Sequence, residues 1–393
     1  MKIINLSEEQ FRAYSKLHSS RNYFQTVEYA NLKKENTRYY LGFINESDNT
    51  LMAAFLLLEK NTISSKAGYV PGGFRIDYDN ETLFKDFINT LKSYLKEKNY
   101  AYITVDNLVT YKILDENNEV LYFDTNLIKI LDELSFVKVP RSSNLNVILE
   151  TEKTPSETYK LFNKNTKRNI SASLQRAITI YKEESTNPEV LSSLTKNINS
   201  DKIKNILNNF NTKDNTAEIY FAKLNPEKYI NNYRYLLKRE DDKNDKLNEI
   251  MQNINIPKSD SLISKKMTSD KLITRYNNEI VKASNIYAKY PEGVVLGAIL
   301  IIKNNREIYF LDEGRNKEFD NIYSSHLLKW EIIKKYLSAG YKIFNFGPIK
   351  NTDKKNSSYI FKMGFGGKVY ESVGTYDLVI NNLQYKMAKL FKK

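Results

Sequence analysis

Residues 294–346 read VVLGAILIIKNNREIYFLDEGRNKEFDNIYSSHLLKWEIIKKYLSAGYKIFNF. Two apolar runs, Val294–Ile302 and Ile308–Leu311, flank a turn-forming Asn-Asn pair, which predicts a β-hairpin. Apolar residues at helical spacing then cover Ile322–Leu337, and Tyr341–Phe346 alternates like a strand. The stretch therefore predicts a hairpin, a helix and a strand in that order.

The same order of elements occurs near the start of the chain. Strand-like runs at Tyr39–Ile44 and Leu51–Leu58 are followed by helical spacing over 80–98 and by the strand-like Tyr100–Val105. Sequence identity between the two copies is low, so the repeat rests on the order of elements. We expect an α/β (α+β) protein with two halves of one design, each with a mixed, largely antiparallel sheet.

The segment between the halves has a different pattern. A helix is predicted from Pro226, a good first-turn residue, to about residue 254, and its apolar residues recur at alternating spacings of three and four. A turn at Pro257 and a second helix with a compatible stripe follow. Residues 226–288 are predicted to form an antiparallel helical-hairpin (coiled-coil) arm. The alternative is two ordinary helices packed on the body.

The composition excludes several classes of site. The 393 residues include no cysteine, which rules out disulfides, thiol nucleophiles and Cys-ligated zinc. Histidine occurs only at His18 and His326, so we expect no metal site and no cofactor. Walker, dinucleotide-binding and nucleophile-elbow motifs are absent. The chemistry left is direct transfer between two bound substrates, driven by positioning and by stabilisation of an oxyanion.

Charge and hydropathy bear on partners and location. Sixty Lys and Arg against 47 Asp and Glu give a net charge of +13, which favours polyanionic partners. An AT-rich genome, which enriches Lys and Asn, explains the same bias without any ligand. The N-terminus lacks a signal peptide, and the longest apolar run is too short to span a bilayer, so a cytoplasmic protein is expected.

Several motifs resemble the FemABX family of aminoacyl-tRNA-dependent transferases, which build peptidoglycan cross-bridges. The family's C-terminal signature, G-Y-x-x-Y-N-F-x-G-I, then F-K-x-x-F-G and an aromatic-Asp pair, is similar to Gly340–Ile349, Phe361–Gly366 and Tyr376-Asp377. Its opening motif F-x-Q-x-x-E-W…K resembles Tyr23–Tyr29 with Lys33, with Tyr in place of Trp. Two further segments resemble family motifs. Tyr69–Gly73 is similar to the family's Y-x-P-R-G-P turn but lacks its Arg, and Thr166–Ile170 is similar to its T-R-x-N-I helix start.

The resemblance implies two GNAT-like subdomains and no acetyl-CoA. Its implied division is 1–145 for subdomain A, 146–225 with 289–380 for subdomain B, 226–288 for the arm, and 381–393 for a helix packing on the body. The implied reaction moves an amino acid of the Gly, Ala or Ser class from aminoacyl-tRNA to the stem-peptide amine of a precursor. That precursor is of the lipid II type or UDP-MurNAc-pentapeptide, so the implied location is cytoplasmic, at the inner face of the membrane.

The resemblance also implies catalytic residues. Lys362 matches a lysine that can stabilise negative charge on the attacked carbonyl, and Phe361 lies where the tRNA end meets the acceptor. Asp106 follows a strand where the family often has an acidic residue that orients the amine or accepts its proton. The alternatives are a solvated lysine, a core aromatic and a turn-capping aspartate.

Substrate-binding residues are implied in the same way. Lys33 matches the lysine that contacts precursor phosphates, although a solvated helix face is an equal interpretation. Tyr69 belongs to the turn motif, and Asp77 is a weaker candidate beside it. Lys167 and Arg168 belong, with Lys164 and Arg176, to a basic stretch that can face phosphates or form an exposed helix face.

Two other functions remain open at this stage. One is a noncatalytic RNA-binding protein, in which 29 tyrosines supply stacking partners for bases. The other is an acyl-CoA-dependent GNAT N-acyltransferase, which the missing Gly-rich pyrophosphate loop disfavours.

Overall fold

Strands and helices alternate along the whole chain. The computed structural model describes residues 1–18, 22–62, 65–140, 144–182, 188–253 and 257–390. Within them the strands are β1 Lys2–Asn5, β2 Thr37–Ile44, β3 Leu51–Asn61, β4 Lys66–Val70, β5 Tyr100–Leu114, β6 Val120–Phe123, β7 Phe136–Lys138, β8 Leu145–Glu150, β9 Ile178–Lys182, β10 Asn215–Leu224, β11 Val294–Asn304, β12 Glu307–Arg315, β13 Ile343–Ile349 and β14 Lys368–Val379. The helices are α1 Glu8–Leu17, α2 Val27–Leu32, α3 Glu81–Glu97, α4 Asn126–Glu133, α5 Pro155–Leu161, α6 Lys164–Gln175, α7 Pro188–Leu194, α8 Ser200–Asn209, α9 Pro226–Gln252, α10 Asp260–Lys289, α11 Ser324–Ser338, α12 Ser357–Met363 and α13 Asn382–Leu390.

The strands join into one mixed sheet that continues through both halves. Its order is β1-β2-β3-β4-β5-β14-β8-β13-β12-β11-β10-β9, with β6 paired to β5 and β7 to β14. The pairs β4–β5 and β12–β13 are parallel because a helix, α3 or α11, crosses between the two strands of each pair. The prediction of a mixed, largely antiparallel architecture is confirmed, although the two predicted sheets are continuous.

The repeat appears as two copies of hairpin, helix and parallel strand. The second copy is β11, β12, α11 and β13, and the first is β3, β4, α3 and β5. Each crossing helix is followed by a left-handed residue, Asn99 (φ 62°) or Gly340 (φ 87°), which ends the helix and starts the next strand. Strands β2 and β3 do pair as an antiparallel hairpin, but the hairpin that corresponds to β11–β12 is β3–β4, because Lys66–Val70 forms a strand that the sequence pattern did not predict.

Strand β14 connects the two halves. It lies between β5 and β8, so residues from the C-terminal end of the chain pair with strands on both sides. Val369 packs in the core of the second half, whereas Val373, Tyr376 and Leu378 pack in that of the first. The domain division given above stays a prediction, and the sheet is shared by both sides of it.

A short N-terminal segment is held by both halves. Gln25 is fully buried; its side-chain amide donates to the Pro71 carbonyl at 2.5 Å, and its side-chain oxygen accepts the Leu56 N–H at 2.7 Å. Glu28 is also buried and accepts hydrogen bonds from Thr212 and Asn215 in the second half, both at 3.0 Å. The Gln and Glu of the opening motif therefore fasten the two halves together.

Helices α9 and α10 form an antiparallel hairpin, as predicted. Near its base, Tyr233 packs edge-on against Tyr276, and farther out the buried Asn244 donates to Ser269 (3.2 Å) and to Asp270 (2.8 Å). The apolar spacing of the second helix predicts that Tyr287 belongs to its apolar stripe, but this residue is exposed, because the neighbouring Ile286 faces the core. The predicted last residue of the first helix, 254, lies outside the described residues.

The end of the described chain packs on the body. In α13, Tyr385 and Ala388 contact the buried Ala101 and Tyr102 at the start of β5. Among the helices in the described residues, none combines the length and apolar character that crossing a bilayer requires.

Candidate active site

A cleft of about 610 Å³ opens on the sheet where the two halves meet. Its floor crosses β5, β14, β8, β13 and β12, and at ~4.8 Å between strands these span ~19 Å. An extended peptide of about five residues has this length. The lining side chains are largely polar and aromatic: Asn22, Tyr23, Phe24, Gly72, Tyr78, Asp106, Leu108, Val109, Thr110, Lys138, Val139, Pro140, Asn144, Asn146, Ile148, Glu307, Tyr309, Asn345, Pro348, Tyr370, Ser372, Gly374 and Thr375.

Asp106 lies on the side of the cleft formed by the first half. Tyr69 donates its hydroxyl proton to one carboxylate oxygen of Asp106 at 3.1 Å, and Thr375 donates to the other at 2.8 Å. The structure therefore brings together two residues predicted from the sequence, Asp106 and Tyr69. Both oxygens of Asp106 already accept a hydrogen bond, so this carboxylate is held firmly in place.

The turn after β4 explains the missing arginine of the family's turn motif. Gly72, which occupies that position, has φ +72°, and a Cβ atom there would lie 2.4 Å from the side-chain oxygen of Asn22. Asn22 in turn donates to the Gly72 carbonyl at 3.2 Å. A larger residue at 72 would displace Asn22 from the cleft wall.

Glu307 lies on the opposite side, at the start of β12. Its carboxylate accepts a hydrogen bond from the side-chain amide of Asn345 at 3.0 Å. Burial raises the pKa of Glu307 to about 7, and the Asn345 hydrogen bond only partly opposes this effect. In the part of the chain that the structure describes, no Lys or Arg forms an ion pair with this carboxylate.

Lys362 lies beside the cleft rather than in its lining. Its ammonium group donates to the carbonyl of Pro348, a lining residue, at 2.8 Å. Burial lowers the pKa of Lys362 to about 8, and the nearby charge of Lys329 contributes in the same direction. The ammonium is therefore partly desolvated but still mostly protonated at neutral pH.

Phe361 belongs to an aromatic cluster behind Lys362. Its ring lies 4.7 Å from that of His326 and 5.6 Å from that of Phe365, and the Lys329 ammonium lies 4.7 Å from its centre. Lys329 itself is only 3% exposed and forms an ion pair with Glu313. Burial lowers the pKa of His326 to about 4, so this histidine is a neutral packing residue.

None of the predicted substrate-binding residues is in the cleft lining itself, and two of them, Asp77 and Lys33, make only local contacts. Asp77 is exposed, and its carboxylate accepts the Asp79 N–H at 3.1 Å, which makes it a turn-capping residue. Lys33 lies over the Tyr29 ring at 5.4 Å, and Tyr29 packs against Phe24, which does line the cleft. Lys33 is thus one layer outside the cleft wall.

The predicted basic stretch divides into two groups. Lys167 donates to the Lys160 carbonyl of the preceding helix α5 at 2.8 Å, and the exposed Arg168 donates to Asn165 on α6 itself at 2.6 Å. Arg176 does not face solvent: its side chain is 7% exposed and forms a two-point ion pair with Glu279 of the arm. The expectation that Arg176 faces phosphates is therefore wrong.

Sequence reasoning overlooked Glu307, Tyr309 and Lys329. Glu307 is one of many glutamates and follows a hairpin turn, where an exposed side chain is the ordinary expectation. Its hydrogen-bond partner Asn345 is the Asn of Y-N-F in the C-terminal signature. That motif was the one feature of the sequence that could have indicated this part of the site.

Known proteins with similar sequences cover the whole chain. The model of the FemAB family matches residues 6–393. Aminoacyltransferase FemA of Staphylococcus epidermidis is 24% identical over 420 residues, covering 100% of this chain and 99% of that protein. Lipid II:glycine glycyltransferase of Staphylococcus haemolyticus is 22% identical over 416 residues, covering 100% of this chain and 96% of that protein.

Solved structures agree on the fold. The crystal structure of FemX has a TM-score of 0.72 at 18% identity and covers 98% of this chain and 99% of its own. A tandem GNAT protein from the clavulanic acid biosynthesis pathway has a TM-score of 0.53 at 6% identity, with 97% and 98% covered. The predictions of GNAT-like halves and of an aminoacyltransferase enzyme are confirmed. Because the family model spans nearly the whole sequence, the chain belongs to the FemAB family.

Proposed function

We propose that this enzyme transfers an amino acid from aminoacyl-tRNA to the stem-peptide amine of a lipid II-type peptidoglycan precursor. The observation that carries the proposal is the cleft crossing five strands, with Asp106 on one side and Pro348, held by Lys362, on the other. The relatives named for FemA and for lipid II:glycine glycyl transfer support glycine as the amino acid and lipid II as the acceptor.

The chemistry requires no covalent enzyme intermediate. The acceptor nitrogen attacks the carbonyl carbon of the tRNA ester, a new amide bond forms, and the ester C–O bond breaks. Negative charge grows on the carbonyl oxygen, and the Lys362 ammonium is the group we assign to stabilise it. Its pKa of about 8 keeps it protonated at neutral pH, while partial burial strengthens its interaction with the oxyanion.

The cleft suits an extended peptide acceptor. Its length of ~19 Å accommodates about five residues. Hydroxyl and amide groups along the floor, including Asn144, Asn146 and Ser372, can bond to a peptide backbone. In this arrangement Asp106 and Tyr69 hold the acceptor on the first half, and Lys33 and Asp77 contact it outside the cleft.

The donor tRNA is assigned to the side of α12 and α6. The N–H of Asn163, the residue before α6, donates to the Gly364 carbonyl at 3.0 Å, so α6 begins next to the end of the helix that carries Lys362. Lys167 and the exposed Arg168 follow on the same helix and are suited to backbone phosphates. We assign the terminal adenosine of the tRNA to Phe361, which directly precedes Lys362 on α12.

A net charge of +13 suits both substrates, because tRNA and a pyrophosphate-linked precursor are polyanions. A lipid-linked acceptor places the reaction at a membrane surface. We propose that the enzyme works at the inner face of the membrane, where charged tRNA and the precursor meet.

This function can be tested by incubating the purified protein with a panel of charged tRNAs and one of two acceptors, lipid II or UDP-MurNAc-pentapeptide. The products are identified by mass spectrometry. We expect an acceptor whose mass is increased by one amino acid, with lipid II preferred. No product from any combination would contradict the proposal. Salt-sensitive RNA binding without transfer would favour the RNA-binding alternative, and heat released on titration with acyl-CoA would favour the GNAT alternative.

A further inference from the structure

Glu307 is a half-buried carboxylate that lines the cleft and has no ion pair with a cation in the described part of the chain. Asn345 donates to one of its oxygens, and no ion pair with the other occurs among the described residues. The titratable groups that face it are the phenols of Tyr23 and Tyr309. Burial raises the pKa of both phenols, that of Tyr309 to about 12, so they stay neutral across the physiological range. Ionising such a carboxylate is unfavourable until a cation arrives.

The orientation of Asn345 is fixed by the backbone. Its side-chain oxygen accepts the N–H of Gly347 at 2.9 Å, so its amide NH₂ must point the other way, towards Glu307. The second oxygen of Glu307 accepts no hydrogen bond from the described residues, and the residue lines the cleft. The geometry is that of a preformed acceptor for one additional hydrogen-bond donor.

Gly347, whose N–H bonds to Asn345, also lies close to Lys362. Gly347 has φ +78°, and a Cβ atom built on it would lie 3.8 Å from the Tyr309 hydroxyl and 3.9 Å from the Lys362 ammonium. The Tyr309 hydroxyl and the Lys362 ammonium therefore both border the space next to Gly347. Gly347 is connected to Glu307 by two hydrogen bonds, because its N–H donates to Asn345 and the Asn345 amide donates to Glu307.

Asp106, the sequence-based candidate for this role, is less available. Tyr69 and Thr375 already donate to its two oxygens. An acceptor nitrogen would have to displace one of these hydroxyl groups before it could bond to Asp106, whereas the second oxygen of Glu307 accepts no hydrogen bond from the described residues. Glu307 and Asp106 thus have different environments within one cleft, which separates their roles.

We infer that Glu307 and Asn345 form the binding site for the primary ammonium group of the acceptor, and that Glu307 takes the proton that this group must lose before it attacks. The inference rests on the proposed function. It reassigns proton acceptance from Asp106 to Glu307 and leaves Asp106 to position the acceptor.

The proton balance follows from the reaction. The acceptor ammonium carries two protons that the amide product does not need. Glu307 takes the first, so that the free amine can form the N–C bond. The second leaves the tetrahedral adduct with the breaking ester bond and protonates the ribose oxygen of the tRNA. Glu307 then releases its proton to water, which restores the carboxylate.

The first test is the pH dependence of transfer by Glu307→Gln, which retains an oxygen to accept from Asn345. Wild-type kcat/KM for the acceptor should rise with pH through about 7 as Glu307 ionises, and fall through about 8 as Lys362 loses its proton. The variant should lose about 100-fold in kcat/KM and lack the limb near pH 7. If kcat/KM of the variant still rose through about pH 7 as in the wild type, the inference would be overturned. Glu292→Gln, an exposed turn residue, is the matched control and should behave as wild type.

The second test measures binding and does not depend on transfer. A water-soluble lipid II analogue with a free stem-peptide amine, and the same analogue acetylated on that amine, are titrated into the full chain. Glu307→Gln should weaken binding of the free amine about tenfold and leave the acetylated form unchanged. Equal effects on both analogues would overturn the inference. If the wild type binds but transfers nothing from any charged tRNA, the proposed function fails while this comparison still reports on Glu307.

Discussion

Replacing Glu307 with Gln should stabilise the protein at alkaline pH. Burial raises the pKa of this carboxyl from its usual 4.5 to about 7, so the folded chain holds a proton that the unfolded chain has released. Each tenfold change in an equilibrium is worth about 1.4 kcal/mol. Above pH 7 the ionised Glu307 therefore lowers the free energy of unfolding by about 3 kcal/mol relative to a neutral side chain.

The sign of this effect defines the pH window. Because the pKa is raised in the folded state, stability is greatest below about pH 4.5 and is lost progressively as pH rises to about 7. Glutamine does not titrate, so the advantage of the variant should grow over the same interval and then level off. Asn345 can still donate to the side-chain oxygen of the glutamine, so little else changes.

Urea unfolding of wild type and Glu307→Gln at pH 5 and pH 8 measures the difference. We expect a gap below 1 kcal/mol at pH 5 and of about 3 kcal/mol in favour of the variant at pH 8. The exposed Glu292→Gln variant controls for the loss of one negative charge. A gap of the same size at both pH values would refute the reasoning, since it would show that Glu307 ionises normally.

Three further predictions follow from the geometry. Lys362→Met should lower kcat by about 10²–10³-fold, the usual loss on removing one oxyanion stabiliser, while urea unfolding at pH 7 shows equal or greater stability because a partly buried charge is gone. Arg176→Ala should lower the free energy of unfolding by about 3 kcal/mol, because it leaves Glu279 buried without its cation, and hydrogen exchange should be faster in α9 and α10. Gly347→Ala should cost about 1–2 kcal/mol in urea unfolding because φ is +78°, and should lower kcat by filling the space beside Lys362.

Each of these variants has an outcome that contradicts its prediction. Wild-type turnover by Lys362→Met would remove that residue from the reaction. Unchanged exchange in the arm after Arg176→Ala would show that the ion pair does not anchor it. Full activity of Gly347→Ala would place the reaction away from this residue.

The repeat was predictable because its elements carry local signals. Apolar spacing indicates α3 and α11, and Asn99 and Gly340 end both helices in the same way. Strand β4 was not predictable from pattern alone, since Lys66–Val70 is short and runs directly into the Pro-Gly-Gly turn. The position of β14 between β5 and β8 left no local signal either, because its partners lie more than 200 residues away in sequence.

The site was predictable only where a motif specified it. The C-terminal signature led to Lys362, whose ammonium does reach a residue that lines the cleft, and the turn motif led to Tyr69, which bonds to Asp106. Glu307 could not be distinguished by pattern, because its enclosure depends on packing between β12, β13 and the N-terminal segment. Arg176 was misassigned since its partner, Glu279, lies about 100 residues away.

The opening motif has a structural meaning that the resemblance did not provide. Gln25 bonds to the first half and Glu28 to the second, so the segment between them sets how the two walls of the cleft face each other. Tyr23 and Phe24 in the same segment line the cleft. One short stretch of sequence thus contributes both to the assembly of the halves and to the surface that the acceptor contacts.

The most direct measurement is a structure of the full chain bound to a bisubstrate analogue that joins a 3′-terminal adenosine to the stem peptide through a tetrahedral phosphonate. The account predicts the phosphonate oxygen within hydrogen-bonding distance of the Lys362 ammonium, the peptide nitrogen at the free oxygen of Glu307, and the stem peptide extended across the sheet towards Asp106. An analogue bound outside the cleft, or with its peptide nitrogen on the far side of Lys362 from Glu307, would contradict it.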